Sequence, residues 1–274
     1  MARERSLARV RRVWPIVCTF GDFRLGTYGV LIGIGFLVCL WLARTLGQRD
    51  GLQPKAVNDL GLGVILSGLL GCWLLGVGVN FVQGVPMDWS ELRNAGAVHG
   101  GLIGGFIGLV LLVRFYQLPF ALVLDAYLPA VALGQAMGRL GCFAAGCCFG
   151  SPTSLPWGVV YTDPVAHELG GVPLGVFLHP VQLYDFGVHL LLFGALLWMH
   201  RRSLLKGGLF GPWCIAEGVV RLSIEAFRGD LGRGVWFGID GLSTGRMTSM
   251  LFVLVGAICW WNYERMNRRL AVSA

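Results

Sequence analysis

Seven stretches of apolar sequence leave this chain few folds to choose from. They run Thr27–Ala43, Leu60–Phe81, His99–Val113, Pro119–Phe143, Val181–Met199, Leu209–Ile224 and Met247–Tyr263. About 20 apolar residues cross a hydrocarbon core as a helix, so each stretch is a candidate span, the third and sixth being short. With 55% hydrophobic and 14% charged residues among 274, the composition excludes an ordinary soluble domain. Lipid offers the backbone no hydrogen-bond partner, and the alternating pattern of a transmembrane barrel is absent from the sequence, so the expected fold is an all-α membrane protein. About seven transmembrane helices and an outward-facing loop region are predicted.

Lys and Arg in the connections set the orientation. Arg44, Arg49 and Lys55 follow the first span, Arg114 the third, Arg201, Arg202 and Lys206 the fifth, and Arg265, Arg268 and Arg269 the seventh. These mark the cytoplasmic side. The connection Ala144–Pro180 carries no Lys or Arg and therefore faces outward. The predicted organisation is a basic interfacial arm (1–26), helices one to four (27–143), an outward loop (144–180), helices five to seven (181–263) and a cytoplasmic tail (264–274). Arg3, Arg5, Arg9, Arg11 and Arg12 sit before the first span, on the side this scheme places outside; an arm lying along a membrane surface accommodates them. Val13–Phe20 is too short and too broken by Pro15 and the following Gly21, Asp22 and Arg24 to be read as a signal-peptide core. The outward loop is turn-rich, with Trp157–Tyr161 (WGVVY) as a candidate strand.

Glycine is abundant, at 42 residues. Gly100, Gly104 and Gly108 recur at four-residue spacing in the third span, and Gly134, Gly138 and Gly141 in the fourth, the pattern that lets membrane helices approach closely. Most of these are expected to pack helices and nothing more.

Polar side chains within the spans are costly there and are the default candidates for a site. His99 opens the third span. Arg139 lies near the outward end of the fourth, with Gln135 and Cys142 on the same face; Gln182, Asp185 and His189 share a face of the fifth; Glu217, Arg221, Glu225 and Arg228 form a stripe of alternating charge on the sixth. Two arginines from separate helices suggest a phosphate site, because the guanidinium is a permanently charged fork that matches phosphate oxygens in pairs. An ion pair of Arg221 with Glu217 or Glu225 competes with that reading. Arg139 has no acidic neighbour in its own helix, which points to a ligand or to a partner from another helix. The eight cysteines divide into five scattered apolar positions and the group Cys142, Cys147 and Cys148, for which a disulfide from Cys142 to one of the others ranks above a zinc site with His167 or His179. No cofactor, metal ion or nucleic-acid partner is expected.

Four ordered motifs, HGGLIGG, GRLGCFAAGCCFG, HPVQLYD and RLSIEAFRGD, resemble those of the bacterial prolipoprotein diacylglyceryl transferases over nearly the whole chain. The resemblance implies a multi-pass inner-membrane enzyme, open to the periplasmic leaflet, that moves the diacylglyceryl group of phosphatidylglycerol to the lipobox cysteine of a preprolipoprotein and releases glycerol phosphate. His99 then falls on the family histidine, Tyr28 on the first-helix tyrosine, Arg139 and Gly150 on the signature arginine and closing glycine, and Arg221 and Glu225 on the sixth-span pair. The implied catalytic set is His99, Arg139, Arg221, Glu225 and Tyr28, with Arg139, Cys142, Gly150, Gln182 and Arg221 meeting substrate; Glu225 is expected to orient Arg221. Membrane lipids, phosphatidylglycerol among them, and the lipobox segment are the implied partners. Cys142 stands where many members have asparagine, Cys147 where they have an acidic residue and Glu217 where tyrosine is frequent. Two further readings are a transferase using the same lipid with another acceptor, and a non-catalytic lipid-binding or transport relative.

Overall fold

The computed structural model describes residues 13–21, 23–84, 98–229 and 243–273. Among these residues are eight helices: α1 Thr27–Arg49, α2 Pro54–Val82, α3 Val98–Phe115, α4 Phe120–Ala145, α5 Pro164–Gly170, α6 Val181–Arg201, α7 Phe210–Glu225 and α8 Thr244–Ser273. Two small antiparallel sheets complete the list of elements. Strand β1 (Ile16–Phe20) pairs with β2 (Phe23–Gly26), and β3 (Val159–Val160) pairs with β4 (Phe177–Leu178). Every one of the seven apolar stretches is helical. Four helices, α1, α2, α4 and α6, are long and apolar enough to cross a membrane, and α3 carries a shorter apolar segment.

The exposure pattern is that of a protein dissolved in lipid. Leu37, Trp41, Leu66, Leu102, Leu191 and Leu251 are all more than half exposed, while Gln182, Asp185, His189 and Glu217 are at most 4% exposed. Water would penalise such an outer surface, and the bilayer does not.

Two compact units are defined, one of residues 40–127 and one of 1–39 with 128–274. In the first, α2 and α3 pack through glycines. A Cβ on Gly100 would strike the Gly71 carbonyl, and one on Gly104 would meet the Ser67 carbonyl and stand 3.0 Å from the Cα of Gly71. Backbone contact at this range is the small-residue packing read from the sequence. The same unit is closed by the Tyr127 hydroxyl, which donates to the Val57 carbonyl at 2.5 Å, and by Asp59, which accepts from Lys55 Nζ and Tyr116 Oη at 2.6 Å each.

In the second unit the connection of residues 144–180 is a packed structure rather than only a series of turns. Val13, Val159, Tyr161, Ala166, Val172 and Leu178 form a small core against which Phe143 and Phe149 pack. Asp163 caps α5, its Oδ1 accepting from Val165 N at 2.9 Å, and Gly171 ends that helix with φ 72°. The expected strand in WGVVY is present as its two central valines, and α5 is an addition that the many prolines obscured: Pro164 occupies the first helical position, where a missing N–H costs nothing. Residues 1–12, with the five arginines of the predicted arm, lie outside the described residues. The following stretch is the β1–β2 hairpin, tied to α1 by Thr27 N donating to the Pro15 carbonyl at 2.9 Å and by the Thr27 hydroxyl on the Trp14 carbonyl.

The glycine contact yields a prediction. Gly104→Leu should force α2 and α3 apart and lower stability by about 1–3 kcal/mol, read as a reduced thermal midpoint in detergent. Gly78→Ala, at a position with nothing within 4 Å, should leave the midpoint unchanged.

Candidate active site

Arg139 has its acidic partner, and it comes from another helix. Its Nε lies 2.7 Å from Asp185 Oδ2, the guanidinium side chain 15% and the carboxylate 1% exposed. Asp185, one turn into α6, is followed four residues later by His189, whose Nδ1 bonds the Asp185 backbone carbonyl at 2.8 Å and lies at the same distance from Oδ1. Neither carboxylate oxygen receives an aligned hydrogen bond among the described residues, so Asp185 is held by charge more than by directional bonding. On the other side of the ring, His189 Nε2 is 3.0 Å from Glu217 Oε2. Glu217, on α7, also accepts from Gln135 Nε2 at 3.0 Å and lies 3.7 Å from Arg221 Nε. The result is one continuous chain across three helices: Arg139, Asp185, His189, Glu217 and Arg221.

Proton positions on the imidazole follow from its partners. A carbonyl oxygen can only accept, so Nδ1 carries a proton and donates to it. Nε2 faces a carboxylate, and that contact requires one proton shared between His189 and Glu217. Two guanidinium groups, two carboxylates and an imidazole with its shared proton sum to one net positive charge, in an interior where an unpaired charge is expensive. Arg221 is 44% exposed, so this end of the chain opens outward from the buried centre.

Helix geometry delivers these groups. Gln135, Arg139 and Cys142 share a face of α4, Gln182, Asp185 and His189 a face of α6, and Glu217 and Arg221 a face of α7. Gly141 lets α1 come close, since a Cβ there would stand 2.8 Å from Tyr28 Cδ2. Tyr28 itself is 44% exposed, within electrostatic reach of Arg139 and the three neighbouring cysteines. Gln182 Nε2 donates to the Cys147 carbonyl at 2.8 Å and reaches Tyr161 Oη at 3.3 Å, fastening the packed connection to α6. Burial holds the Tyr161 hydroxyl well above the usual phenol range, so it stays a donor, here to the Phe143 carbonyl at 3.3 Å. Gly150 is buried against His179 with no space for a Cβ, and pairs as an isolated bridge with Arg228. The structure thus gives Gly150 a packing role.

Several expectations are changed. Arg221 pairs with Glu217, and Glu225 instead accepts from Ser243 Oγ at 2.7 Å, so the orienting group for Arg221 is the earlier carboxylate. Cys142, Cys147 and Cys148 are free thiols, so the disulfide weighed for them is not formed. His99 begins the second residue of α3 in the unit of residues 40–127, but its side chain lies outside the described residues. Asp185 and His189 were legible as a shared helical face, yet only their contacts reveal that they join the two arginines. The i, i+4 spacing of an acid and a histidine in an apolar helix was the available signal.

Comparison with known proteins gives one family. A sequence profile described as prolipoprotein diacylglyceryl transferase matches residues 15–262. A Clostridium tetani protein named phosphatidylglycerol--prolipoprotein diacylglyceryl transferase is 32% identical over 258 residues, covering 93% of this chain and 99% of its own. Proteins of the same name from Chromohalobacter salexigens and Synechocystis are each 32% identical, over 90% of this chain and 92% and 88% of theirs.

Removing the Asp185 charge should expose how much the network depends on it. Asp185→Ala leaves a guanidinium buried without its partner and should cost roughly 3–5 kcal/mol of stability, seen as a large drop in the thermal midpoint of the purified protein. The exposed Lys55–Asp59 pair serves as the comparison: Lys55→Ala, which leaves the Tyr116–Asp59 bond in place, should move the midpoint far less.

Proposed function

Because the chain belongs to the prolipoprotein diacylglyceryl transferase family, we propose that its Arg139–Asp185–His189–Glu217–Arg221 chain is the site at which phosphatidylglycerol is bound and cleaved. The protein is a membrane transferase that moves the diacylglyceryl group of phosphatidylglycerol to the lipobox cysteine of a prolipoprotein. The sulfur of that cysteine forms a thioether to the terminal carbon of the diacylglyceryl group, the carbon–oxygen bond to phosphate breaks, and glycerol phosphate leaves. The thiol proton passes to a base, and the leaving phosphate takes the electron pair of the broken bond.

The observation that carries this assignment is that cations from α4 and α7 are joined through one buried polar chain. A phosphate leaving group gains charge as its bond breaks, and a guanidinium held in a low-dielectric site stabilises that charge without reorganising. Asp185 and Glu217 position Arg139 and Arg221 by their contacts with the two Nε atoms, which leaves the terminal nitrogens as the phosphate-binding fork. Gln182, Cys142 and Gly150 line the adjoining turn, where the headgroup and lipobox segment are proposed to rest. His99 is proposed to accept or relay the thiol proton, a task suited to a group that titrates near neutrality, with Tyr28 beside the reacting groups and Glu225 supporting the sixth span.

The same reading places all seven apolar helices across a bacterial inner membrane, with the packed loop of residues 144–180 on the periplasmic side. The distribution of Lys and Arg supports that orientation. The site then opens to the leaflet from which an exported prolipoprotein presents its thiol.

Two substitutions test the assignment. With phosphatidylglycerol and a lipobox peptide supplied to the purified protein, Arg139→Lys should lose most thioether formation, measured by mass spectrometry, while remaining folded in detergent, since an ammonium cannot reproduce the fork. Near-normal turnover would remove Arg139 from the site. His99→Asn should lose turnover in the same assay and fail to restore reporter lipidation in a transferase-depleted strain. Release of glycerol phosphate without thioether on the peptide would identify a different acceptor, and absence of both products with any thiol would identify a non-catalytic protein.

A further inference from the structure

The three cysteines at the end of α4 are brought together by the way that helix terminates. Gly146 takes φ 73°, and Cys147 N donates to the Cys142 carbonyl at 3.1 Å, a bond spanning five residues. This is the Schellman ending, which sets the side chain just past the cap against the one in the last helical turn; here those positions are Cys147 and Cys142. Cys148 then adopts φ 56°, a left-handed conformation unusual for a residue with a side chain, which returns its sulfur to the other two. All three Sγ atoms lie within 4.8 Å of one another.

We infer that Cys142, Cys147 and Cys148 form a three-sulfur binding site for a soft monovalent cation, Cu(I). Metal–thiolate bonds of about 2.3 Å in a trigonal arrangement put sulfurs about 4.0 Å apart, so the thiols need close by less than an ångström. Thiolate sulfur selects soft ions, and Cu(I) is satisfied by three such donors. Zinc in a structural site takes four protein ligands, and the sulfur cluster holds only these three among the described residues.

The surroundings support a bound cation site. Gln182 anchors the Cys147 carbonyl, the Cβ-less Gly170 packs on the Gly146–Cys147 backbone, and the Gly150–Arg228 bridge fixes the chain two residues beyond Cys148. The turn is therefore rigid before any ion enters. Arg139 and Arg228 both act electrostatically on Cys148 and offset the negative charge that three thiolates around one Cu(I) would retain. Binding requires only that the thiols release protons to water; no electron is transferred.

The reduced full-length protein in detergent, titrated anaerobically with Cu(I) against a chromogenic Cu(I) chelator, should retain one equivalent per chain. Cys142→Ser, Cys147→Ser and Cys148→Ser should each weaken retention at least tenfold, and Cys214→Ser should not. Thermal midpoints of the metal-free variants separate loss of the site from loss of the fold, and an absorption edge characteristic of Cu(I) in trigonal sulfur coordination reports the ligand set directly. No retained Cu(I) in the wild-type chain, retention that survives replacement of all three cysteines, or retention of Zn(II) in preference to Cu(I) would overturn the assignment.

Discussion

A carboxylate with 1% of its side chain exposed, set in a bundle whose outside is meant for lipid, cannot stand alone. Asp185 is that group, and much of the second unit is arranged around compensating it. Arg139 supplies a permanent cation from α4, His189 places its Nδ1 2.8 Å from the carboxylate on the next turn of α6, and Glu217 continues the chain to Arg221 on α7. Because each member is needed by its neighbour, the helices that carry them are committed to one register. Buried ionic groups are weak contributors to net stability but strong arbiters of geometry when every partner is present.

In the proposed reaction that commitment has a chemical use. Ionic groups whose positions are already fixed need not reorganise when a substrate develops charge. Arg139 is nearly enclosed and Arg221 is 44% exposed, so the network reaches from a dry interior toward the surface. Tyr161 and Gln182 join the small core of residues 144–180 to the ends of α4 and α6. Glu217 is the member that lets one chain serve both arginines.

Much was readable from the residues. The seven apolar stretches became seven helices because lipid permits no other local solution, and the glycine spacing in the third span became the α2–α3 contact. Arg139, lacking an acidic neighbour in its own helix, called for a partner elsewhere. Less visible were α5, hidden among prolines that in fact start it, and the free thiols, where clustering had suggested a disulfide. The sequence offered Arg221 an ion pair with Glu217 or Glu225 and left the choice open, since both lie one turn away and spacing alone ranks them equally.

Periodicity and solvent preference act along a single helix, so composition and spacing sufficed to determine that the chain lives in a membrane, which segments are helical and which polar faces they carry. Those faces do not say which helix they will meet. That Asp185 answers Arg139, that His189 bridges two carboxylates, and that a helix-ending glycine gathers three sulfurs all depend on contacts between residues distant in the chain or on one backbone turn. Such contacts arise only when packing and charge balance are satisfied together in three dimensions.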